Sequence, residues 1–182
     1  MLPRGSPPRN TRGRIHASQW PTEGVAVHHA HVDRIVSLEP GRSARALKCV
    51  SLRDEALGEH FPGNPVLPGV FLLEALAQTA GVLLWKSTGE QRLAVMASID
   101  RARFLSFARP GDALQLDVEI EEHAGDIARI RGRASCDGRD VAVSRMSFRL
   151  VEFESLIAPY YAPAYRQMIA TWLGEFPVMS SA

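Results

Sequence analysis

The chain has 182 residues, 46% of them apolar and 23% charged, with 21 basic against 20 acidic side chains and a net charge of +1. That size and apolar content suit one folded domain with a substantial core, and the near-balanced charge argues against a dominant nucleic-acid or anionic-membrane surface. Cys49 and Cys136 belong to no Cys-x-x-Cys pair or zinc-spaced Cys/His cluster, so neither a metal nor a cofactor is expected, and a reduced, cytoplasmic setting is. No apolar run of roughly 18 residues or more appears, nor a signal-peptide apolar region near the start, so no membrane partner is expected either.

Residues 1–23 are rich in breakers (Pro3, Gly5, Pro7, Pro8, Gly13, Pro21) and carry Arg4, Arg9, Arg12 and Arg14 with no acid before Glu23. This composition predicts a disordered or loosely packed basic segment. The proline density argues against the amphipathic helix of an organellar transit peptide. Next comes a histidine-rich stretch, His28, His29 and His31. Its spacing is not that of one helix face, and no acid or cysteine accompanies it, so a surface or strand-edge origin is favoured over a metal site. Asp33–Glu39 alternates as a strand, Pro40-Gly41 marks a turn, and Ser43–Ser51 is a second strand, which makes a hairpin. A short polar link, Asp54–Glu59, leads to His60.

The stretch from His60 to Gly69 holds three prolines and two glycines and cannot be regular helix or central strand. Val70–Lys86 holds no proline and is apolar almost all round, which predicts a buried core helix entered through Pro68-Gly69 and stopped at Gly89. Glu74 is the anomaly. A carboxylate on such a helix costs several kcal/mol, of the order expected for buried charge, unless it is paired or protonated. Gln78 lies one turn on and can hydrogen-bond it. The bland alternative is a narrow solvated face. Four strand-like runs follow, Leu93–Phe104, Ala113–Glu122, Ile127–Cys136 and Val141–Val151, broken at Pro110-Gly111-Asp112, Ala124-Gly125-Asp126 and Asp137-Gly138. Two strands, one apolar helix and four antiparallel strands make an α+β layout, with one curved sheet around the helix.

The run His-Phe-Pro-Gly-x-Pro-x-x-Pro-Gly-x-x-x-x-Glu-Ala-x-x-Gln over residues 60–78 resembles the signature of the β-hydroxyacyl-acyl-carrier-protein dehydratases of FabZ type, which have the hot-dog fold. Asp33-Arg34-Ile35, Leu38-Glu39-Pro40-Gly41, Ile99 to Phe104 and Pro110-Gly111-Asp112 resemble further segments of that family. The likeness covers roughly Val25 to Glu152, so the domain is expected over 24–152. It departs at Val27–Val32, where the family has an Arg-Tyr-Pro-Phe-Leu-Leu type segment. Residues 153–182 are an extension rich in aromatics (Tyr160, Tyr161, Tyr165, Trp172, Phe176), in which Ala164–Leu173 is expected to be a short amphipathic helix.

The resemblance implies a dehydration. His60 is then the base, since imidazole titrates near neutrality, and Glu74 the acid. The N–H groups of Gly69 and Val70 are the donors to the developing oxyanion, and Gln78 orients Glu74. It also implies a homodimer with His60 and Glu74 contributed by different subunits, three such dimers in some members, and an apolar acyl tunnel beside the helix. The partner is an acyl carrier protein bearing its acyl chain on phosphopantetheine. Arg101, Arg103 and Arg109 are the candidate basic rim for it. Two other activities fit the same fold: an acyl thioesterase, and a non-catalytic acyl-binding or assembly protein.

Overall fold

The computed structural model describes residues 30–54 and 57–175. The basic segment 1–23, His28 and His29 lie outside the described residues. The elements in order are β1 (Arg34–Glu39), β2 (Ser43–Cys49), α1 (Gly69–Ser87), β3 (Arg92–Phe104), β4 (Ala113–Ala124), β5 (Ile127–Cys136), β6 (Arg139–Glu152), α2 (Phe153–Leu156) and α3 (Ala162–Leu173). The strands make one antiparallel sheet in the order β1-β2-β4-β5-β6-β3. Each expected element is present, with ends displaced by a few residues. The hairpin β4–β5–β6 is longer than the apolar alternation indicated, because backbone pairing continues through polar residues such as His123 and Arg139.

Alternation decides which side of the sheet meets α1. Leu114, Leu116 and Val118 of β4, Ala128 and Ile130 of β5, and Ala142, Met146, Phe148 and Leu150 of β6 are all buried. Their neighbours in sequence point the other way and form ion pairs, as in Arg131 with Glu119 and Arg145 with Glu121. The helix answers with Leu72, Leu76, Ala80 and Leu83, each 2% exposed or less. These residues follow the three- and four-residue spacing of one helix face. Gly132 of β5 lies under the helix. A Cβ there would stand 2.7 Å from Ser144 Oγ and 3.2 Å from Leu76 Cδ1, so glycine spares both side chains a shift.

By length and composition α1 could cross a membrane, yet it is the core helix of this sheet. The crossover it makes carries the chain from β2 to β3, at the far edge. That edge strand differs from the others. Past Leu93 it is largely exposed, with Val95, Met96, Ile99 and Phe104 all open by about two-fifths or more (41%, 39%, 43% and 52%). The link expected to be polar, Asp54–Glu59, contains Leu57, which is 3% exposed and joins the core. Buried Lys48 pins the start of the hairpin, with Asp33 at 3.8 Å and Asp54 at 3.7 Å from its Nζ.

Candidate active site

The His60 loop is held by its own backbone. Val66 N donates to the His60 carbonyl at 2.8 Å, Asn64 N to Phe61 O at 2.9 Å, and Leu67 N to Ala108 O at 2.8 Å. His60 Nδ1 lies 2.9 Å from the Val66 carbonyl oxygen. A carbonyl can only accept, so in the neutral ring Nδ1 carries the proton and Nε2 keeps its lone pair. The imidazole also stacks on Phe61, with centroids 4.0 Å apart. Both contacts orient the ring and leave Nε2 without a partner among the described residues.

The loop delivers the chain to the start of α1. Pro68 caps the helix without a side-chain hydrogen bond, and the first turn holds no acid. The N–H groups of Gly69 and Val70 find no acceptor among the described residues. They are the orphan donors of a helix start, backed by the positive end of its dipole. Gly69 owes its identity to a contact the sequence does not display. A Cβ at Gly69 would come within 2.7 Å of the Phe104 ring, so that ring from β3 lies directly on the backbone of the helix start.

Four residues beyond Val70, Glu74 is half-buried. Gln78 Nε2 donates to Glu74 Oε1 at 2.9 Å, as the one-turn spacing predicts. Gln78 is itself held, because its Oε1 accepts from His31 N at 2.8 Å. The histidine-rich entry thus meets the site through its backbone, and the His31 ring stacks on Phe71 at 4.8 Å. Val70, Glu74, Gln78 and Gly81 form a stripe that the sheet leaves uncovered. The apolar pattern predicts burial on most faces, and in a single chain this stripe is the half-buried to exposed remainder. It borders a cavity of about 400 Å³ that begins at Glu74 and Gln78 and is otherwise mainly apolar, with Val82, Met96 and Phe148 among its walls.

The structure gathers the expected residues into two groups. His60 lies in the loop that leads to Gly69 and Val70 at the helix start, and Glu74 with Gln78 lines the cavity. No hydrogen bond joins His60 to Glu74 within the chain. The three arginines separate further. Arg101 and Arg103 lie on β3 beside Arg131, Arg133 and Arg145, around a second depression of about 320 Å³. Neither makes an ion pair among the described residues. Arg109 is a tether of the His60 loop: its Nη1 donates to Asn64 Oδ1 at 2.5 Å, and its backbone N–H to Asp112 at 2.8 Å. The family resemblance had marked Arg109 only as a candidate rim charge. Its partner Asn64 is one of the unspecified positions of the loop signature, so nothing local pointed to the pair. Among the described residues no cluster of metal-ligating side chains occurs.

A family profile described as a FabA-like domain matches residues 28–145. The chain is 38% identical over 128 residues to a Nitratiruptor sp. protein named 3-hydroxyacyl-acyl-carrier-protein dehydratase FabZ, covering 66% of this chain and 86% of that one. It is 43% identical over 122 residues to the protein of the same name from Bacillus subtilis, again covering 66% and 86%. Among solved structures, the dehydratase heterocomplex ApeI:P from Xenorhabdus doucetiae superposes with a TM-score of 0.59 at 19% identity, over 72% of this chain and 89% of that one. A hot-dog-like protein from Thermanaerovibrio acidaminovorans superposes with a TM-score of 0.55 at 18% identity, over 71% and 93%. These last two likenesses establish the hot-dog fold. The profile takes in the His60 loop, α1 and most of the sheet, and on that breadth the chain belongs to the FabA-like family.

Proposed function

We propose that this chain is a 3-hydroxyacyl-acyl-carrier-protein dehydratase, removing water from a β-hydroxyacyl thioester to leave the trans-2-enoyl thioester, in fatty-acid synthesis or a related polyketide or aryl-polyene pathway. The observation that carries this is the open stripe of α1. It aligns free backbone donors, a carboxyl held by an amide and the mouth of an apolar cavity along one helix face.

In the proposed step, His60 Nε2 takes a proton from the carbon beside the thioester carbonyl. Negative charge grows on the carbonyl oxygen, where the Gly69 and Val70 N–H groups can meet it. The carbon–oxygen bond to the β-hydroxyl breaks, and Glu74 gives that oxygen its proton, so that water leaves. Gln78 occupies Oε1 of Glu74 and leaves Oε2 to face the hydroxyl. Proton exchange with solvent then restores both groups.

Since no hydrogen bond joins His60 to Glu74 within one chain, a second copy is proposed to complete the site, making a homodimer. The free edge of β3 supports this, because it leaves backbone pairing groups and Val95, Met96 and Ile99 uncovered. Three such dimers together are the next proposed level of assembly. The proposed protein partner is the acyl carrier protein for which the relatives are named, with unpaired Arg101 and Arg103, and secondarily Arg109, meeting its surface. The proposed compartment is the cytoplasm: Cys49 is exposed, Cys136 is buried, and the two form no disulfide.

The test is to incubate the purified chain with a β-hydroxyacyl carrier-protein thioester and identify the product. A conjugated enoyl thioester is expected. Free acid would instead show thioester hydrolysis, and unchanged substrate a binding role. His60→Ala is expected to lower the dehydration rate about a hundredfold or more. Full activity in that variant would remove His60 from the mechanism.

A further inference from the structure

The cavity that starts at Glu74 has a wall built by a part of the chain beyond the FabA-like match. That match ends at residue 145, whereas α3 spans Ala162–Leu173. α3 presents Tyr165, Met168, Ile169 and Trp172 to the cavity. Their spacing of three, four and seven residues places them on one helix face. Gln167, on the other side, is exposed.

This helix is anchored. It packs on β1 and shares the cavity with β3, at the opposite edge of the sheet, so it bridges the side of α1 that the sheet leaves open. Tyr165 packs edge-on to Trp85 at 5.7 Å. The Arg166 guanidinium lies over Trp85 at 5.2 Å and over Phe153 at 4.9 Å, and pairs with Glu90 at 3.1 Å. Gly174, at φ 74°, closes the helix with a left-handed cap. A wall fixed in this way can exclude a ligand as well as contact one.

We propose that α3 closes the far end of the acyl-binding groove and that Met168 sets the longest acyl chain the site accepts. The inference rests on the dehydratase reading given above, which places the β-hydroxyl at Glu74 and sends the hydrocarbon tail along α1. From Glu74 to Val82, both lining residues, the helix advances roughly 12 Å at its usual rise per residue. Beyond Glu74 and Gln78 the lining is mainly apolar, with Val82, Met96, Phe148, Met168 and Ile169 among it, which suits a hydrocarbon chain. Met168 is half-buried, unbranched and adaptable, so its volume can be changed without breaking a hydrogen bond.

The experiment measures kcat/KM for β-hydroxyacyl carrier-protein thioesters of four, eight, twelve and sixteen carbons. Met168→Trp is expected to shift the preference to shorter chains, lowering the ratio of the longest accepted chain to the four-carbon substrate about tenfold or more. Met168→Ala is expected to move the ratio the other way, and it carries the test if the tryptophan variant does not fold. Gln167→Ala serves as a control for altered helix stability and is expected to keep the wild-type profile. Unchanged ratios in both Met168 variants, with wild type active, would overturn the inference and leave the dehydratase reading intact. So would an equal shift in Gln167→Ala. A wild-type chain that dehydrates none of the four substrates would overturn the dehydratase reading, and this inference with it.

Discussion

The two sides of α1 follow different rules. Toward the sheet lie Leu72, Leu76, Ala80 and Leu83, sealed against β4, β5 and β6, with Gly132 cut back to admit them. On the other side lie Val70, Glu74, Gln78 and Gly81, which stay half-buried or exposed. The first side obeys packing, where any lost volume costs stability. The second holds groups that packing alone would not select: an exposed valine, a half-buried carboxyl and a glycine without a close neighbour. Stability and chemistry are thus divided across one helix, and substitutions on the two sides are expected to fail in different assays.

The largest expected effect is on the open side. Glu74→Gln keeps the shape and the reach to Gln78 but cannot give up an acidic proton. Dehydration is expected to fall about a thousandfold, within the usual range for a lost general acid, with little change in melting temperature. On the sealed side, Leu76→Ala is expected to cost about 3 kcal/mol of stability by opening a cavity. Its activity at low temperature is expected to survive far better. If Glu74→Gln melted early and kept its rate, the division between the two sides would be wrong.

Gly132→Ala tests the sealed side more finely. The new methyl would press on Ser144 Oγ and on Leu76, and overpacking of this kind costs about 1–3 kcal/mol. Thermal unfolding is the measurement. A variant as stable as wild type would show that α1 can ride higher over β5 without penalty.

How much of this arrangement the sequence displayed differs between the same two sides. The sealed side was legible, because alternation in Leu114, Leu116 and Val118 and helical spacing in Leu72 and Leu76 are direct imprints of burial. Glu74 and Gln78 were legible as a local pair one turn apart, and the His60 loop through its prolines. Contacts that join distant segments were not. Phe104 over Gly69, Arg109 on Asn64 and His31 on Gln78 each link residues tens of positions apart through ordinary-looking side chains or backbone. The same holds for α3. Its aromatic content suggested packing, but composition could not say that it would lie beside Glu74.

Arg109 offers a smaller effect on the open side. Arg109→Ala removes the hydrogen bond to Asn64, which braces the His60 loop at its exposed bend. The backbone bonds of the loop remain, so kcat is expected to fall only several-fold, about what one exposed charge-assisted hydrogen bond is worth. Arg109→Lys cannot restore the planar guanidinium geometry and is expected to recover only part of the loss. A change in KM for the carrier-protein substrate, with kcat untouched, would place Arg109 on the rim and not behind His60.

The smallest effect concerns the anchor of α3. Glu90 accepts a hydrogen bond from Lys86 Nζ at 2.7 Å and pairs with Arg166 at 3.1 Å. The Lys86 hydrogen bond, helped by the charges of Lys86 and Arg166 and opposed by desolvation, holds the Glu90 carboxyl below its ordinary value. A carboxyl lowered by folding stabilises the folded state above its unfolded pKa, which is about 4.3. That contribution fades as pH falls through the lower folded value. Hydrogen exchange in α3 is therefore expected to accelerate on acidification below about pH 4, and Glu90→Gln is expected to exchange at that faster rate already at neutral pH. Because Glu90 is 39% exposed, the difference is expected to stay below about 1 kcal/mol. Glu175 stands 3.9 Å from the same lysine, so the variant and not the pH ramp alone identifies Glu90. If Glu90→Gln left both exchange and its acid dependence as in wild type, the aromatic cage of Trp85, Phe153 and Tyr165 would be sufficient to hold α3 against the open side.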